Sequence, residues 1–309
     1  MNFNRPMLAA DVELSKIQYP VICMPKIDGV RAVNPYGHIC ARSFKHFRNT
    51  KINEVYNNSD FKGFDGEFVV GSPIDKDCCR ITTSNVSSVD GECPDWHLFD
   101  YVNDYTYKLP YSYRLNALKE EFNNLKDKHP FIKLIKWAYI EDEENLLKYE
   151  QEMLNEGYEG IVIRDMNAPY KFGRSTVKEQ GLLRLKRFSD TEAVVEDVIE
   201  AYENRNEAYT NMVGLTERAT LKENKVPKGI VGSFLCSTLK DIVVNEEKIK
   251  KGTRIIVSAG KLTKEEREYL FKNKNEVVGK VIKFKYFPKG IKDTFRFPTF
   301  QSFRDKEDM

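Results

Sequence analysis

The stretch Met24-Pro25-Lys26-Ile27-Asp28-Gly29-Val30-Arg31 sets an amine, a carboxylate and a guanidinium around one tight turn. A hydrophobic run over residues 21–24 stops at Pro25, and Asp28-Gly29 is a turn pair. A lysine attacks an electrophile only as the free amine, and nearby cations, from arginines or a bound metal ion, favour that form. Taken alone the stretch also fits a solvated hairpin turn, so its chemistry depends on what the rest of the chain supplies.

What it supplies comes in a fixed order: Ala41-Arg42-Ser43, Phe64-Asp65-Gly66-Glu67-Phe68, Trp96-His97-Leu98-Phe99-Asp100, Glu159-Gly160-Ile161-Val162-Ile163-Arg164 and Leu182-Leu183-Arg184-Leu185-Lys186. The elements that must position them are short. Residues 21–24, 31–34, 64–70, 96–102 and 160–164 read as strands separated by turn residues, which predicts a mostly antiparallel sheet. Leu115, Leu118, Phe122 and Leu125 recur at helical spacing within 111–128. A second helix is predicted over 142–156, with acidic residues in its first turn, Leu146, Leu147 and Leu154 on its apolar face, and Gly157 as its C-cap.

The character of the chain changes near Phe188-Ser189-Asp190. Beyond it, strands are predicted at 193–199, 230–236, 241–244, 253–257 and 277–287, with one short helix at 264–273 before the last. Five strands and one helix fit a small barrel of the OB type. Residues 203–228 form a polar, poorly periodic insert, and long inserts of this kind are functional or disordered. Near the C-terminus Lys280, Lys283, Lys285, Lys289, Lys292, Arg296 and Arg304 face one acid, Asp293, with seven aromatics interleaved. That alternation suits a phosphate-tracking surface, and equally a barrel strand with rings inward and lysines outward.

The 309 residues suggest two domains. With 41% hydrophobic residues and a net charge of +2, the chain can bury a core but has no global basic excess, so a polyanion site has to be local. No apolar run approaches the ~18 residues of a membrane span, and the N-terminus lacks a signal-peptide core, so an intracellular, soluble protein is expected. The six cysteines form no CxxC pair, and they read as reduced thiols with neither a zinc site nor a disulfide framework.

The ordered set of motifs resembles the covalent nucleotidyltransferase superfamily of polynucleotide ligases and mRNA capping enzymes. Tyr170-Lys171-Phe172-Gly173-Arg174-Ser175-Thr176, Phe284-Lys285-Tyr286-Phe287 and Arg296-Phe297-Pro298-Thr299-Phe300 extend the resemblance to the minimal ATP-dependent DNA ligases of large DNA viruses and phages, of the Chlorella virus type. The resemblance implies an α+β fold: an ATP-grasp-like nucleotidyltransferase (adenylation) domain with antiparallel sheets over 1–188, and an OB-fold barrel over 189–309 with a DNA latch at 203–228. It implies ATP and Mg²⁺ or Mn²⁺ as cofactors, nicked duplex DNA as partner, and a monomer without membrane contact.

By the same resemblance Lys26 is the nucleophile, forming a lysyl-AMP phosphoramidate, and Asp28-Gly29 presents it. Arg31 and Arg42 serve phosphates at the nick, for which the guanidinium fork is suited. Glu67 lies by the ribose and near the metal, Phe99 stacks on adenine, and Glu159 is the metal-site carboxylate. Arg174 and Lys186 contact phosphates. Arg184 departs from the family, which has lysine there, and Arg and Lys are not interchangeable at a tight site. Arg205, Arg218, Lys222 and Lys225 of the insert are candidates for DNA contact, and Arg296 for orienting pyrophosphate. RNA ligase and mRNA guanylyltransferase are the alternatives within the superfamily. A non-catalytic nucleic-acid-binding module would leave the ordered motifs without a purpose, and an NAD-dependent ligase would need zinc cysteines that are not present.

Overall fold

The computed structural model describes residues 5–210, 216–219, 221–244, 247–288 and 294–304. Lys289, Lys292 and Asp293 of the basic–aromatic stretch, and 211–215 and 220 of the insert, lie outside the described residues. The chain divides into two compact units, the body of one ending at Lys186 and the other comprising 187–209 and the residues from 216 on.

The first unit runs β1 (Ala10–Asp11), β2 (Val21–Pro25), β3 (Val30–Val33), β4 (Cys40–Ala41), α1 (Thr50–Tyr56), β5 (Phe64–Val69), α2 (Cys78–Ser87), β6 (Asp95–Tyr101), α3 (Tyr111–Leu125), β7 (Ile132–Leu134), β8 (Ala138–Ile140), α4 (Glu143–Asn155), β9 (Ile161–Asp165) and β10 (Leu183–Leu185). These make two five-stranded sheets, ordered β1-β10-β9-β2-β8 and β4-β3-β5-β6-β7. Both are antiparallel except for one parallel edge pair each, β1 with β10 and β6 with β7.

All five residues of β2 are buried, which is why its sequence shows no polar alternation. Val21 and Cys23 join Leu146 and Met153 of α4 in one core, whereas Ile22 and Met24 join the larger core built from the second sheet and α1–α3. Helix α4 starts where its acidic first turn predicts: the Asp142 side chain accepts the Asn145 N–H at 2.8 Å, and Gly157 takes a positive φ of 98° beyond the helix end. Its buried face differs from the expected one. Leu146, Glu150 and Met153 are buried, while Leu147 is exposed. Helices α1 and α2 were not anticipated. The buried stripe of α2 is Cys78, Thr82 and Val86, at helical spacing but too polar to stand out as a hydrophobic period.

The two sheets are joined by a buried ion network. Asp100 of β6 accepts from Arg114 Nε of α3 at 2.8 Å and from Arg164 Nη1 of β9 at 2.8 Å. All three side chains are at most 1% exposed. Burial alone would raise the Asp100 pKa, but Arg114 and Arg164 outweigh it and hold the carboxyl below its ordinary range.

The second unit contains β11 (Ser189–Asn204), β12 (Ala208–Thr210), β13 (Thr216–Arg218), β14 (Lys225–Thr238), β15 (Ile242–Val244), β16 (Glu247–Ile249), β17 (Arg254–Ser258), α5 (Lys264–Lys272), β18 (Val281–Phe287) and β19 (Arg296–Phe303). Strands β11-β14-β17-β19-β18 close into a barrel, with α5 between its third and fourth strands, the strand order of an OB-fold. Two expectations are corrected. Residues 241–244 do not enter the barrel but pair with β16 in a separate hairpin. The fifth barrel strand is β19, which Pro298 obscures because proline argues against a strand. Residues 203–228 are also more regular than their composition suggests. Strands β11 and β14 pair beyond the barrel as far as Asn204↔Lys225, and the arm they form carries the small β12–β13 sheet. In β18 the rings of Phe284 and Tyr286 lie in the barrel core while Lys283 pairs with Asp190 at 3.0 Å, so the strand follows the rings-inward pattern up to Tyr286; Phe287, on the opposite face, is buried against Phe188 and Arg296 instead.

Removing Asp100 leaves two buried guanidiniums without their common partner. Asp100→Ala is therefore expected to cost about 3–5 kcal/mol in urea unfolding. A loss below about 1 kcal/mol would mean that the network does not hold the sheets together.

Candidate active site

Lys26 is the first residue beyond β2, and the pairing of β2 with β9 continues past both strand ends. Lys26 N–H donates to the Gly160 carbonyl at 2.8 Å, and Glu159 N–H donates to the Lys26 carbonyl at 3.1 Å. These two backbone bonds place the side chains together. Lys26 Nζ donates to Glu159 Oε2, and Lys186 Nζ, just past β10, donates to Glu159 Oε1 at 3.0 Å. Glu159 is only 4% exposed. Burial works to raise its pKa, but Lys26 and Lys186 prevail and hold it below the usual carboxylate range. For Lys186 burial acts first and lowers the pKa, aided by Lys26 and Arg184 and opposed by Glu159.

Two glycines make this approach possible. A Cβ on Gly160, whose φ is +151°, would stand 2.3 Å from the Leu185 carbonyl oxygen. A Cβ on Gly29 would stand 2.2 Å from the Phe68 carbonyl oxygen and 2.8 Å from Glu67 Cγ, so the turn after Lys26 could not lie against β5. Asp28 is buried in that turn. On β5, Glu67 is pushed up to about 7; burial is the main cause, Arg31 and Lys26 oppose it, and Glu159 and Asp65 add to it.

Arg31 sits opposite Glu67 in the β3–β5 pairing. Its fork is already engaged: Nε and Nη2 donate to the two oxygens of buried Asp65 at 2.5 and 2.6 Å. Tyr170 donates its hydroxyl to Asp65 at 2.8 Å and accepts the Met7 N–H. The guanidinium carbon lies 4.5 Å from the Phe99 ring centre. Phe99 is the extra residue where the β5–β6 register shifts between Asp65↔Asp100 and Gly66↔Leu98, and such bulges re-aim side chains.

Of these groups Lys26, Arg31, Glu67 and Phe99 line one cavity of about 190 Å³, whereas Glu159 and Lys186 are not part of its lining. Met24, Ile27, Ile135, Val162, Leu182 and Phe99 give it apolar walls, and Lys26, Arg31, Arg42, Arg164, Arg174 and Arg184 surround it with positive charge against one carboxylate, Glu67. Such a site suits an anion with a flat apolar part. Arg174 donates to the Ala9 carbonyl at 2.6 Å, and Arg184 Nε to Asp11 at 2.6 Å. Sequence reasoning missed Arg164 as a wall of the site, along with Asp65 and Asp11. The available signal for Arg164 was a guanidinium closing an apolar strand motif, a charge that must be paired if buried.

The second unit holds the remaining candidates. Arg205 pairs with Glu203 at 2.9 Å, Arg218 donates to the Asn206 carbonyl, and Lys222 and Lys225 are exposed. Arg296 lies 5.4 and 5.0 Å from the ring centres of Phe287 and Phe297.

A lysine held against a buried carboxylate, beside a cationic cavity with an aromatic wall, is the arrangement of a nucleotidyltransferase. Residues 6–186 match the family model for the ATP dependent DNA ligase domain, and the chain belongs to that family. The crystal structure of the Chlorella virus DNA ligase-adenylate is similar over 97% of this chain and 99% of its own, with a TM-score of 0.53 and 28% identity. A structure from work on Lig E DNA ligases shares the fold, with a TM-score of 0.62 at 19% identity over 96% of this chain and 98% of that one. The DNA ligase of an African swine fever virus isolate is 28% identical over 111 residues, which is 36% of this chain but only 26% of that ligase.

Two outcomes follow from the geometry. Gly160→Ala forces a Cβ into the Leu185 backbone at a positive φ, and its expected cost is about 1–3 kcal/mol in chemical denaturation. Glu67, raised when folded, binds its proton more tightly than in the unfolded chain; the stability it contributes below its unfolded pKa is lost as pH rises toward about 7. Glu67→Gln has no such loss, so its urea midpoint should gain on the parent between pH 5 and pH 8. An equal difference at both pH values would show Glu67 ionised throughout.

Proposed function

We propose that the chain is an ATP-dependent DNA ligase that seals 3′-hydroxyl/5′-phosphate nicks in duplex DNA. The observation that carries this reading is Lys26 paired with buried Glu159 at the wall of the cationic, Phe99-lined cavity. Lys26 Nζ attacks the α-phosphorus of ATP; an N–P bond forms, the P–O bond to pyrophosphate breaks, and the amine gives up its proton. An oxygen of the DNA 5′-phosphate then takes AMP from Lys26, breaking the N–P bond as the lysine nitrogen regains a proton. Finally the 3′-hydroxyl attacks the 5′-phosphorus, loses its proton, and AMP leaves.

The residues of the site divide these tasks. Phe99 and the aliphatic wall receive adenine. Glu67 accepts from ribose hydroxyls. Arg42, Arg174, Arg184 and Lys186 bind phosphate oxygens. Arg31, whose fork is held by Asp65, has one terminal nitrogen left for a nick phosphate and braces the Phe99 ring. Glu159 keeps Lys26 and Lys186 aligned, and Lys26 must leave this carboxylate to attack. Asp28 and Gly29 hold the turn against β5.

Among the described residues no three His, Cys, Asp or Glu side chains are grouped to hold a metal. Mg²⁺ needs only one or two carboxylates when phosphate oxygens and water complete its shell, and Glu159 with Glu67 fits that donor set. When bound, Mg²⁺ or Mn²⁺ supplies charge neutralisation at the phosphates. The first unit serves as the adenylation domain, and the barrel, with Arg296, orients pyrophosphate. The β11–β14 arm, with Arg205, Arg218, Lys222 and Lys225, contacts duplex DNA as a latch. The enzyme works as a monomer. No helix among the described residues is long and apolar enough to cross a membrane.

The test supplies α-labelled ATP, GTP or NAD with Mg²⁺, then nicked DNA or nicked RNA. Label is expected on the protein from ATP alone, none in Lys26→Ala, and transfer into sealed DNA on the chase. Label from GTP would make the chain a guanylyltransferase, and sealing of RNA alone an RNA ligase; either ends this reading.

A further inference from the structure

Residues 29–53 contain no aspartate or glutamate, yet they carry Arg31, Arg42, Lys45, Arg48 and Lys51. The fold turns the second half of this stretch into a rigid ledge beginning at the cavity wall. Ala41 N–H bonds to the Lys45 carbonyl at 3.0 Å and Phe44 N–H to the Ala41 carbonyl at 2.8 Å, closing a turn with Arg42 at its tip. Phe44 and Phe47 are buried, the latter 5.2 Å from the Phe68 ring. Asn49 is fully buried and donates to the Asn85 and Glu92 carbonyls at 3.0 and 3.1 Å. Between and beyond these anchors Arg48 and Lys51 stand exposed.

Neither has an ion-pair partner among the described residues. Some exposed cations elsewhere in this unit, such as Lys128 and Lys136, are held by a carboxylate, and others, such as Lys126 and Lys148, form no ion pair among the described residues; Arg48 and Lys51 differ in continuing, from Arg42 at the cavity wall, a stretch without any acid of its own. The segment that receives Asn49 carries Asp90 and Glu92, both exposed; they bound the ledge on that side without pairing with Arg48 or Lys51. Cations fixed on a firm backbone without counter-charge repel one another, and a polyanion relieves that repulsion.

We infer that this ledge, running outward from Arg42 to Arg48 and Lys51, grips the phosphate backbone of one flank of the nicked duplex. The inference rests on the ligase reading of the cavity. Reacting strand ends at the cavity require the duplex to continue past its rim, and the ledge is a positive surface, with no acid in its own stretch, that starts there. Each phosphate neutralised releases counterions, so the contacts have a measurable signature in salt dependence.

The test compares the full chain with an Arg48→Gln, Lys51→Gln double variant. Affinity for a fluorescent nicked duplex is measured by anisotropy across a range of salt, beside thermal melting and labelling by ATP without DNA. Melting and ATP labelling should match the parent. The Kd for nicked duplex at 0.1 M salt should rise roughly tenfold, and the slope of log affinity against log salt should fall by about 1–2. An unchanged Kd and slope, with labelling intact, would overturn the ledge. Absence of label from ATP in the parent would overturn the ligase reading itself, and with it the ligand assigned to the ledge.

Discussion

The candidate site depends first on how the two sheets of the first unit are held. The cavity is lined from both: Lys26, Val162 and Arg184 come from the first sheet and its edges, Arg31, Glu67 and Phe99 from the second. Asp100 bridges Arg114 and Arg164 and so ties β6 to α3 and β9 where no water can compete. A buried ion pair is a poor source of net stability, because desolvation consumes most of the attraction. Its value here is positional. The same Asp100 that holds Arg164 follows Phe99 at the bulge, so one carboxylate fixes both an aromatic and a cationic wall of the cavity.

Charge inside the site is arranged on a second buried carboxylate. Glu159 takes an ammonium on each oxygen, which gathers Lys186 beside Lys26, a wall of the cavity. Arg31 is treated differently. Asp65 occupies its fork, and Tyr170, whose hydroxyl accepts the Met7 N–H, donates to Asp65 in turn, so this guanidinium is a fixed part of the wall. Glu67 faces several carboxylates and cations at once, and burial leaves it poised near neutrality. Each of these states results from desolvation competing with a named partner.

The barrel unit illustrates how composition misleads. In β18 the basic–aromatic sequence is written by strand alternation, with Phe284 and Tyr286 inward and Lys283 outward, where it meets Asp190, whereas Phe297 of β19 is exposed. The polar insert looks structureless because its strands leave the barrel and have no core to bury, so the apolar alternation that marks a strand is lacking. Pairing with a neighbour strand, which no local pattern records, is what makes it regular.

Much of the site was legible in the residues themselves. The Lys26, Glu67, Phe99, Glu159 and Lys186 motifs stand out because their types and order are tied to one chemistry, and the strand and helix positions around them follow from local periodicity. The glycines at 29 and 160 were visible as residues, but the close approaches that require them were not. Nor were the partners: Asp65 for Arg31, Asp11 for Arg184, Asp100 for Arg164. Those pairings join positions from 34 to 173 residues apart. A sequence states which charges exist and which strands can form; which carboxylate meets which cation is decided when sheets pack, because buried charges must then find partners wherever the chain has brought them.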